Sequence, residues 1–349
     1  MRMEPRRLHI LLVLIVFVSG CKSDSSSKPG PRLVERTYAA MGTELKFSGW
    51  TSDEDGADAA FEAAFQEIDR LEGLLSNWKK DSEVERLNAA AGKHPVPVGS
   101  ELRDVLEAAR QTSEWTQGKF DVTFGVLSGL WKFDYQNKDN TIPPRSEIVR
   151  RLNLINYRDL IVDNRAGTAF LRREGMVVNL GGIGKGYAVD RARDILRQRG
   201  LRDFMIQFGG DMYVAGLEKD HPWRLGIQDP RGPANRFFAT VDLSDSTFST
   251  SGDYARFFIK EGRRYHHIID PATGEPAAGC RSVTIMASSA TVADGLDTGV
   301  FILGPEAGMA LIERLPDVEG VIVSGKNEVL VSKGLKGRLT ILTQPTDAP

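Results

Sequence analysis

A glycine-rich segment carries the first group of residues that could do chemistry. Residues 177–187 read V-V-N-L-G-G-I-G-K-G-Y, which predicts a strand, a tight turn and the start of a helix. Glycines allow backbone N–H groups to approach a ligand closely, and a helix N-terminus attracts anions. Lys185 is followed by Gly186 rather than Ser or Thr, and the glycines do not match the dinucleotide fingerprint. The segment therefore predicts either an anion-binding turn or an ordinary tight connection.

An acidic segment near the C-terminus carries oxygen ligands. Asp294, Asp297 and Thr298 are spaced i, i+3 and i+4, which places all three on one face of a helix. Two carboxylates and a hydroxyl are the hard oxygen ligands that suit Mg²⁺. The alternative is an acidic helix start that the helix dipole favours. Gly304 and Pro305 follow as helix-ending signals.

Two adjacent histidines precede a predicted turn. His266 and His267 lie in a predicted strand, and the residues from Asp270 to Gly274 read D-P-A-T-G, which is typical of a turn. Neighbouring strand residues face opposite sides, so only one of the two histidines faces a given cleft. The pair is therefore a poor zinc site. Each histidine taken alone is more typical of a satisfied core or surface position than of a catalytic one.

Hydrophobic periodicity indicates the elements that must position these residues. Phe61, Phe65, Ile68, Leu71 and Leu75 recur at spacings of three and four, which predicts a helix with a buried stripe. Further helices are predicted over Glu101–Thr116, Tyr187–Arg199, Val292–Leu303 and Glu306–Leu315. Short strands are predicted over Leu33–Tyr38, Thr43–Ser48, Leu160–Val162, Met176–Asn179, Met205–Phe208, Met212–Val214, Trp223–Ile227, Phe238–Asp242, Tyr265–Ile269, Val283–Met286, Val321–Val323 and Leu339–Leu342. A polar, Pro-containing stretch at Phe133–Arg145 predicts a surface excursion.

These strands outnumber the helices and come in runs, which favours an α+β fold with mixed or antiparallel sheets and packed helices. The chain has 349 residues, enough for one large domain or two intimate subdomains. Lys and Arg number 45 against 47 Asp and Glu, so no basic excess exists for a general nucleic-acid binder. Two cysteines exclude a disulfide framework and a cysteine-built zinc site. The lone thiol of Cys280 is more typical of a packed small residue than of a nucleophile.

The N-terminus has the pattern of a targeting segment. Basic residues precede an unbroken apolar run over Ile10–Val18, which is too short for a stable transmembrane helix. The sequence V-S-G-C that ends at Cys21 resembles the bacterial lipobox, in which the cysteine is lipidated. The alternative is an ordinary signal with an incidental cysteine. We expect a signal peptide over 1–20, a flexible tether over 21–32 and a globular domain over 33–345.

Together, and in this order, eight segments resemble the ApbE family of FAD:protein FMN transferases. The segments are M-G-T, L-S-x-[aromatic], G-x-F-D-V-T, N-L-G-G-I-x-K-G-Y-A-x-D, G-G-D, S-G-D-Y, H-I-I-D-P-x-T-G and A-D-x-x-x-T-x-x-F-x-L-G. The match as a whole runs from about Glu35 to Leu342. The resemblance implies an ApbE-like fold of two intimate subdomains. It also implies an enzyme that binds FAD with Mg²⁺ and transfers its FMN half to a threonine or serine of a partner protein, releasing AMP.

The resemblance also assigns individual residues. It implies FAD contacts at Met41, Trp78, Lys119, Phe120, Asp121, Asn179, Lys185 and Ile269. It implies a metal site formed by the Gly182 carbonyl, Asp294, Asp297 and Thr298. Many family members carry Asp at the position of Asn179, and alanine is usual at that of Gly295, which weakens this helical turn slightly.

The predicted chemistry cleaves a pyrophosphate, so catalysis depends on positioning and charge stabilisation. Lys185 and the glycine-turn amides would act on the phosphate oxygens. The acceptor hydroxyl must lose a proton, and a histidine with an ordinary pKa of about 6.5 suits that step. His267 is our candidate for this general base because it directly precedes Ile268 in the family-like segment, whereas His266 would point away.

Two other functions use the same residues. In a metal-dependent FAD pyrophosphatase, water would replace the acceptor hydroxyl and give FMN and AMP. In a non-catalytic FAD-binding lipoprotein, the flavin would be carried unchanged, which would require neither a metal cluster nor a base.

The resemblance implies acceptors that are subunits of Nqr- or Rnf-type membrane redox pumps with a D-x-x-[ST]-G-A-[ST]-like stretch. The nearest such stretch in this chain begins at Asp245 and has Phe248 where the hydroxyl belongs, so we expect the acceptor to be another protein. The expected location is the bacterial cell envelope, lipid-anchored and facing the periplasm. Lys22 favours outer-membrane sorting, whereas redox-pump acceptors favour the inner membrane, so the choice of membrane stays open.

Overall fold

The computed structural model of the protein describes residues 30–133 and 140–348. The predicted signal peptide, Cys21 and the tether up to residue 29 lie outside these ranges, as do residues 134–139 of the predicted surface excursion. Within the described ranges, the helices are all too short or too polar to span a bilayer.

The described residues form seven α-helices, sixteen strands and three single turns of 3₁₀ helix. The α-helices are α1 Glu54–Leu75, α2 Glu83–Ala89, α3 Ser100–Trp115, α4 Arg145–Leu152, α5 Gly184–Gln198, α6 Ala290–Leu303 and α7 Pro305–Ile312. The strands are β1 Arg32–Ala40, β2 Thr43–Thr51, β3 Val96–Pro97, β4 Leu160–Asp163, β5 Thr168–Leu171, β6 Phe204–Phe208, β7 Asp211–Ala215, β8 Trp223–Gln228, β9 Phe237–Leu243, β10 Ser246–Gly252, β11 Phe257–Lys260, β12 Arg263–His266, β13 Cys280–Met286, β14 Glu319–Ser324, β15 Val329–Val331 and β16 Leu339–Ile341. The 3₁₀ turns are Gly125–Leu127, Tyr157–Asp159 and Lys333–Leu335.

One eight-stranded sheet organises the fold, in the order β1-β2-β6-β7-β10-β13-β14-β15. Every pair of neighbouring strands in it is antiparallel. Three smaller antiparallel sheets accompany it, in the orders β16-β9-β8, β3-β5-β4 and β11-β12. The predicted α+β class with antiparallel sheets is therefore confirmed.

The large sheet is covered on both faces, because its strands alternate apolar side chains between them. In β14, Ile322 packs into the cluster that contains α6 and α7. Its neighbours Val321 and Val323 point to the other face, where they pack against β8 and β9. Helices α1 and α5 pack over the other half of the sheet, and α5 packs directly against α6.

Two sequence predictions near the site were wrong in their strand boundaries. Val177 forms only an isolated bridge to Phe124 in place of the predicted strand at Met176–Asn179. The strand predicted over Tyr265–Ile269 ends at His266. In both places an apolar run was mistaken for a strand, because buried irregular backbone has the same composition as a buried strand. The Ser- and Thr-rich strand β10 and the helices α2 and α4 were not predicted at all.

The predicted turn after His267 is confirmed. Ala272 donates its backbone N–H to the Asp270 carboxylate at 2.9 Å, and Gly274 donates to the Asp270 carbonyl at 2.7 Å. Gly274 has a φ of +70° here, a backbone conformation that glycine adopts without a steric cost.

Candidate active site

The acidic pair lies in the second and third turns of α6, where both carboxylates are buried. The helix begins one turn earlier, and its N-cap is Ser289, whose side chain accepts from the Val292 N–H. The alternative that Asp294 and Asp297 form an acidic helix start is therefore wrong. Instead their helix turns them toward α5 and β10, and they are 3 % and 2 % exposed.

The glycine-rich turn meets this acidic face at the start of α5. Gly186 donates its N–H to Asp294 Oδ2 at 2.8 Å. The Lys185 ammonium pairs with Asp211 and lies 3.6 Å from Asp294 Oδ1. The first turn of α5 thus presents two donors to the carboxylates: a backbone N–H that has no partner within the helix, and the Lys185 ammonium.

Three buried carboxylates share one ammonium in this cluster, which we call the acidic centre: Asp211, Asp294, Asp297 and Lys185. Burial and the charge of Asp211 raise the pKa of Asp294 to about 7, against the opposing attraction of Lys185. Burial and the charge of Asp294 raise the pKa of Asp297 well above its ordinary value. Although burial opposes it, the attraction of Asp211 and Asp294 raises the pKa of Lys185. With its carboxylates ionised, the acidic centre carries an excess negative charge that a cation would neutralise.

Hydroxyl groups from β10 orient the carboxylate of Asp297. Ser249 and Ser251 lie two residues apart on the strand and so face the same side. Each donates to a different Asp297 oxygen at 2.9 Å. Thr298 completes the group, with its hydroxyl 3.1 Å from that of Ser251. A Cβ placed on Gly182 would lie 3.6 Å from the Thr298 hydroxyl oxygen, so the glycine turn borders the same group.

The donor set fits a divalent cation that prefers oxygen. In the described ranges, no three His, Cys, Asp or Glu side chains are arranged to hold a metal ion by themselves. A site would therefore have to include neutral oxygens. The hydroxyls of Ser249, Ser251 and Thr298 lie beside Asp297, and the Gly182 backbone borders Thr298. Carboxylate, carbonyl and hydroxyl oxygens are the ligands of Mg²⁺ rather than of zinc or copper.

The two histidines differ in environment. His266 is buried, with Nε2 2.9 Å from the Ala277 carbonyl oxygen and its ring edge-on to Phe301. Buried Nδ1 of His267 has no hydrogen-bond partner among the described residues. Burial and the charge of Arg256 lower the pKa of His267 to about 4, and the charge of Lys185 contributes. His267 is thus a neutral imidazole with an uncommitted ring nitrogen, within electrostatic range of the acidic centre.

A cavity of about 430 Å³ is lined by Val177, which precedes the glycine turn in the chain, and by residues of other segments. Ser128 lines it, and Asn179 donates to the Ser128 hydroxyl at 3.0 Å while accepting from the Gly181 N–H at 2.8 Å. Trp78 forms one wall and is 80 % exposed, which is unusual for a side chain of this size. Ligand pockets have volumes of roughly 300–1,000 Å³, so the cavity can enclose part of a ligand of dinucleotide size.

The other residues predicted to contact FAD differ in the partners that they have in this structure. The Met41 N–H donates to Glu72 at 2.8 Å. Lys119 is paired with Asp270 at 2.8 Å. Phe120 is buried beside Gly182, and Ile269 is buried in the apolar cluster that contains Val126 and Trp131. Asp121 is occupied within the fold, because Thr123 donates to one of its oxygens and the Tyr157 N–H to the other.

Sequence reasoning left three polar members of the site unassigned. Asp211 follows the G-G turn between β6 and β7, and Ser249 and Ser251 lie in β10; both stretches stood out as marked segments, but without a role. Asp190 was also missed: it accepts hydrogen bonds from the N–H groups of Ala290 and Thr291 and so fixes α6 against α5. Asp211 and Ser251 lie in the family-like segments G-G-D and S-G-D-Y, and Asp190 ends the segment N-L-G-G-I-x-K-G-Y-A-x-D, but these matches gave them no role.

The ApbE family model matches residues 41–322, a range that contains the glycine turn, the histidines and the acidic centre. The chain belongs to the ApbE family. Among its relatives are FAD:protein FMN transferases from Klebsiella pneumoniae, 33 % identical over 87 % of this chain and 88 % of the relative, and from Treponema pallidum, 33 % identical over 96 % of each. Among solved structures, the ApbE protein of Thermotoga maritima has a TM-score of 0.80 at 31 % identity, over 88 % of this chain and 99 % of that one. The flavin transferase ApbE from Vibrio cholerae has a TM-score of 0.78 at 27 % identity over the same shares.

Proposed function

We propose that this ApbE-family protein is an FAD:protein FMN transferase, which moves the FMN half of FAD to a Thr or Ser hydroxyl of a partner protein and releases AMP. The observation that carries the proposal is the acidic centre at the N-terminus of α5: buried carboxylates with excess negative charge meet a glycine turn and an ammonium. Such a site can bring a divalent cation and a diphosphate together. The named activity of the relatives is consistent with this chemistry.

Four groups of this chain would hold Mg²⁺: Asp294, Asp297, the Thr298 hydroxyl and the Gly182 carbonyl. When bound, the ion would supply Lewis-acid stabilisation of the charge that develops on the diphosphate. Lys185 and the glycine-turn amides would bind the same phosphate oxygens. Asp211 holds the Lys185 ammonium and would orient it for that contact.

Proton removal falls to His267 in this proposal. The acceptor hydroxyl oxygen forms a bond to the FMN-side phosphorus, and the bond from that phosphorus to the bridging oxygen breaks. AMP leaves with the electron pair, and the hydroxyl proton goes to the unpartnered Nδ1 of His267. The imidazole is neutral at pH 7, and its unpartnered Nδ1 is open to accept the proton, although the lowered pKa makes it a weaker base than an ordinary histidine.

The flavin ring would occupy the cavity beside Trp78. Its exposed indole offers an aromatic face for stacking, and Ser128, which accepts a hydrogen bond from Asn179, offers a polar contact in the same lining. Lys119 would have to share its contact with Asp270 to reach a ligand. Met41, Phe120, Asp121 and Ile269 complete the proposed FAD-binding set, with Asp121 acting chiefly by holding the loop in shape.

A transfer assay tests the proposal. Purified protein is incubated with FAD, Mg²⁺ and the purified domain of an Rnf-type subunit that carries a D-x-x-[ST]-G-A-[ST] stretch. We expect covalent flavin fluorescence in the acceptor band on a denaturing gel and one AMP per flavin transferred. Asp294→Asn should abolish both, whereas Asp220→Asn, at an exposed turn between β7 and β8, should leave both unchanged. AMP without protein-bound flavin would show a pyrophosphatase instead, and FAD bound without turnover would show a carrier.

We further propose that Cys21 carries a lipid anchor that holds the enzyme in the bacterial cell envelope, facing the periplasm. The V-S-G-C sequence supports this proposal, and several acyl chains on one residue would give a persistent anchor. Metabolic labelling with palmitate tests it: label should appear on the native chain and disappear in Cys21→Ser. Label that persists in the variant would contradict the assignment.

A further inference from the structure

The hairpin of β11 and β12 leads directly into His267. Phe258 pairs with Tyr265 across the hairpin, and Lys260 pairs with Arg263. The His267 N–H donates to the Arg256 carbonyl at 3.1 Å, which extends the pairing by one step. Side chains directly opposite each other in an antiparallel pair share a face, and every second residue returns to it. One face of the hairpin therefore carries three cross-strand pairs in a row, with His267 at one end.

Aromatic contacts hold this hairpin in place. The rings of Phe258 and Tyr265 stack with centroids 5.2 Å apart. Trp131 contacts the Tyr265 ring at 6.0 Å, and Phe133 contacts the Phe258 ring at 5.8 Å. The middle pair of the row is thus anchored to the rest of the protein, so the outer pairs keep a defined position relative to His267.

The remaining side chains of the row are basic and exposed. Arg256, Lys260 and Arg263 form no side-chain hydrogen bond or ion pair with another residue of the described ranges. The Arg263 guanidinium lies over the Tyr265 ring, 4.9 Å from its centroid. By contrast, Lys119 and Arg231 nearby in the fold are paired with aspartates. Glu261 lies in the turn between Lys260 and Arg263, so these side chains and Arg256 together carry a charge of +2 in a chain whose net charge is −2. We call this face, comprising Arg256, Lys260 and Arg263, the basic hairpin face.

We propose that the basic hairpin face docks the acceptor polypeptide through an acidic segment next to the reactive hydroxyl. This inference rests on the proposed transferase function and adds the chemistry of the partner. Lys260 and Arg263 lie four residues along the strands from the Arg256–His267 pair, which corresponds to roughly 13 Å at ~3.3 Å per residue. Because Trp131 and Phe133 pack on the middle pair, the acceptor would contact this face at its two ends, with its hydroxyl at His267 and acidic side chains against the Lys260–Arg263 pair.

A polypeptide fits this face better than a lipid surface does. The proposed base lies at one end of the row, so the segment that carries the hydroxyl must reach that end during transfer. Complementary charges along its path would steer the acceptor and fix its register. Docking of this kind is transient, as a modifying enzyme requires, because exposed ion pairs contribute modestly and are screened by salt.

Charge reversal tests the proposal with the full enzyme and the acceptor domain of the transfer assay. In Lys260→Glu/Arg263→Glu we expect the KM for the acceptor to rise at least tenfold at 50 mM NaCl, which corresponds to a loss of about 1.4 kcal/mol in binding free energy. The kcat and the dissociation constant for FAD should stay unchanged. The wild-type KM should increase between about 50 and 300 mM NaCl, since the Debye length shortens over that range, and the variant KM should respond less. Lys260→Arg/Arg263→Lys should keep the wild-type KM.

The matched control is Arg202→Glu, an exposed arginine just before β6, at the end of that strand away from the acidic centre. It should keep the wild-type KM. An unchanged KM in the double reversal, or an equal rise in Arg202→Glu, would overturn the proposal. Binding of the acceptor measured by calorimetry without FAD separates docking from chemistry: binding that survives the double reversal overturns the docking surface, whatever the outcome for transfer. Loss of binding to phosphatidylglycerol vesicles with an unchanged acceptor affinity would assign the face to lipid and also overturn it.

Discussion

The N–H of Gly186 and the carboxylate of Asp294 are joined at 2.8 Å between the first turn of α5 and the second turn of α6. The contact is possible only because residue 186 has no side chain. A Cβ there would lie 2.2 Å from the Ala290 carbonyl oxygen and 2.8 Å from Asp294 Cβ. The close approach of these two helices therefore sets the distance between the glycine turn and the acidic centre.

Gly186→Ala should separate the two helices and disable the site. The added methyl meets backbone, which cannot rotate away, so we expect a loss of about 1–3 kcal/mol in the free energy of unfolding. Mg²⁺-dependent transfer should fall by far more than the folded fraction does. Thermal unfolding and the transfer assay measure the two effects.

The control is Gly73→Ala, at an exposed position in α1 where an added Cβ meets nothing within 4 Å. Alanine has a higher helix propensity than glycine, so this variant should be as stable as the wild type or more stable by up to ~1 kcal/mol. If Gly186→Ala behaved like Gly73→Ala, helix separation would not control the site.

The acidic centre should make the stability of the metal-free protein fall as pH rises. The folded-state pKa of Asp294 is raised from its ordinary 3.8 to about 7, so the folded state binds this proton more tightly than the unfolded state does. The resulting stabilisation is complete below pH 3.8 and is lost as pH rises toward 7. Added Mg²⁺ should therefore increase the melting temperature more at pH 8 than at pH 5.

Asp294→Asn should remove most of this dependence on both pH and Mg²⁺, because the amide does not ionise. Differential scanning calorimetry with and without EDTA measures it, with Asp220→Asn as the control. A Mg²⁺ shift of equal size at both pH values would contradict an origin in buried carboxylates.

His267 should act as a base well into the acid range. Its pKa is lowered from 6.5 to about 4, so the acid limb of the transfer rate should lie below pH 5 rather than near 6.5. The same pKa shift makes folding stability depend on pH. Below pH 6.5 the unfolded state binds a proton at this histidine, whereas the folded state stays neutral until the pH nears 4. Stability is therefore lost as pH falls from 6.5 toward 4.

His267→Gln should reduce transfer by about 10²–10⁴-fold while FAD still binds, and should flatten the loss of stability in acid. The exposed His94 provides the control, since His94→Gln should change neither property. Rate profiles from pH 4.5 to 8 and urea unfolding at pH 5 and 7 are the measurements. Full transfer by His267→Gln would place the base elsewhere.

Trp78 should matter for the ligand and not for the fold. Because its side chain is 80 % exposed, Trp78→Ala should leave the melting temperature within a degree or two. A lost aromatic stack is worth about 0.5–1.5 kcal/mol, which corresponds to a roughly two- to tenfold weaker affinity for FAD. Fluorescence titration measures it, with the exposed Leu342→Ala as the control; an unchanged affinity would exclude the indole from the flavin site.

Local sequence was enough to predict the elements with strong periodicity and the chemistry of the short segments. The stripe from Phe61 to Leu75 predicted α1, and the i, i+3, i+4 spacing placed Asp294, Asp297 and Thr298 on one helical face. These predictions succeed because they depend on local geometry, which repeats every 3.6 residues whatever the rest of the chain does. The glycine turn and the family segments also came from local sequence.

How these segments come together depends on the packing of the whole fold. Asp211 lies 83 residues before Asp294 in the chain, and Ser249 and Ser251 belong to a strand that periodicity did not reveal. Their convergence on the acidic centre depends on the pairing of β7 with β10 and the packing of α6 over it. Sequence spacing carries no information on such contacts, because they arise from burial of whole faces rather than from neighbouring residues. The uncommitted ring nitrogen of His267 and its depressed pKa are products of that burial as well.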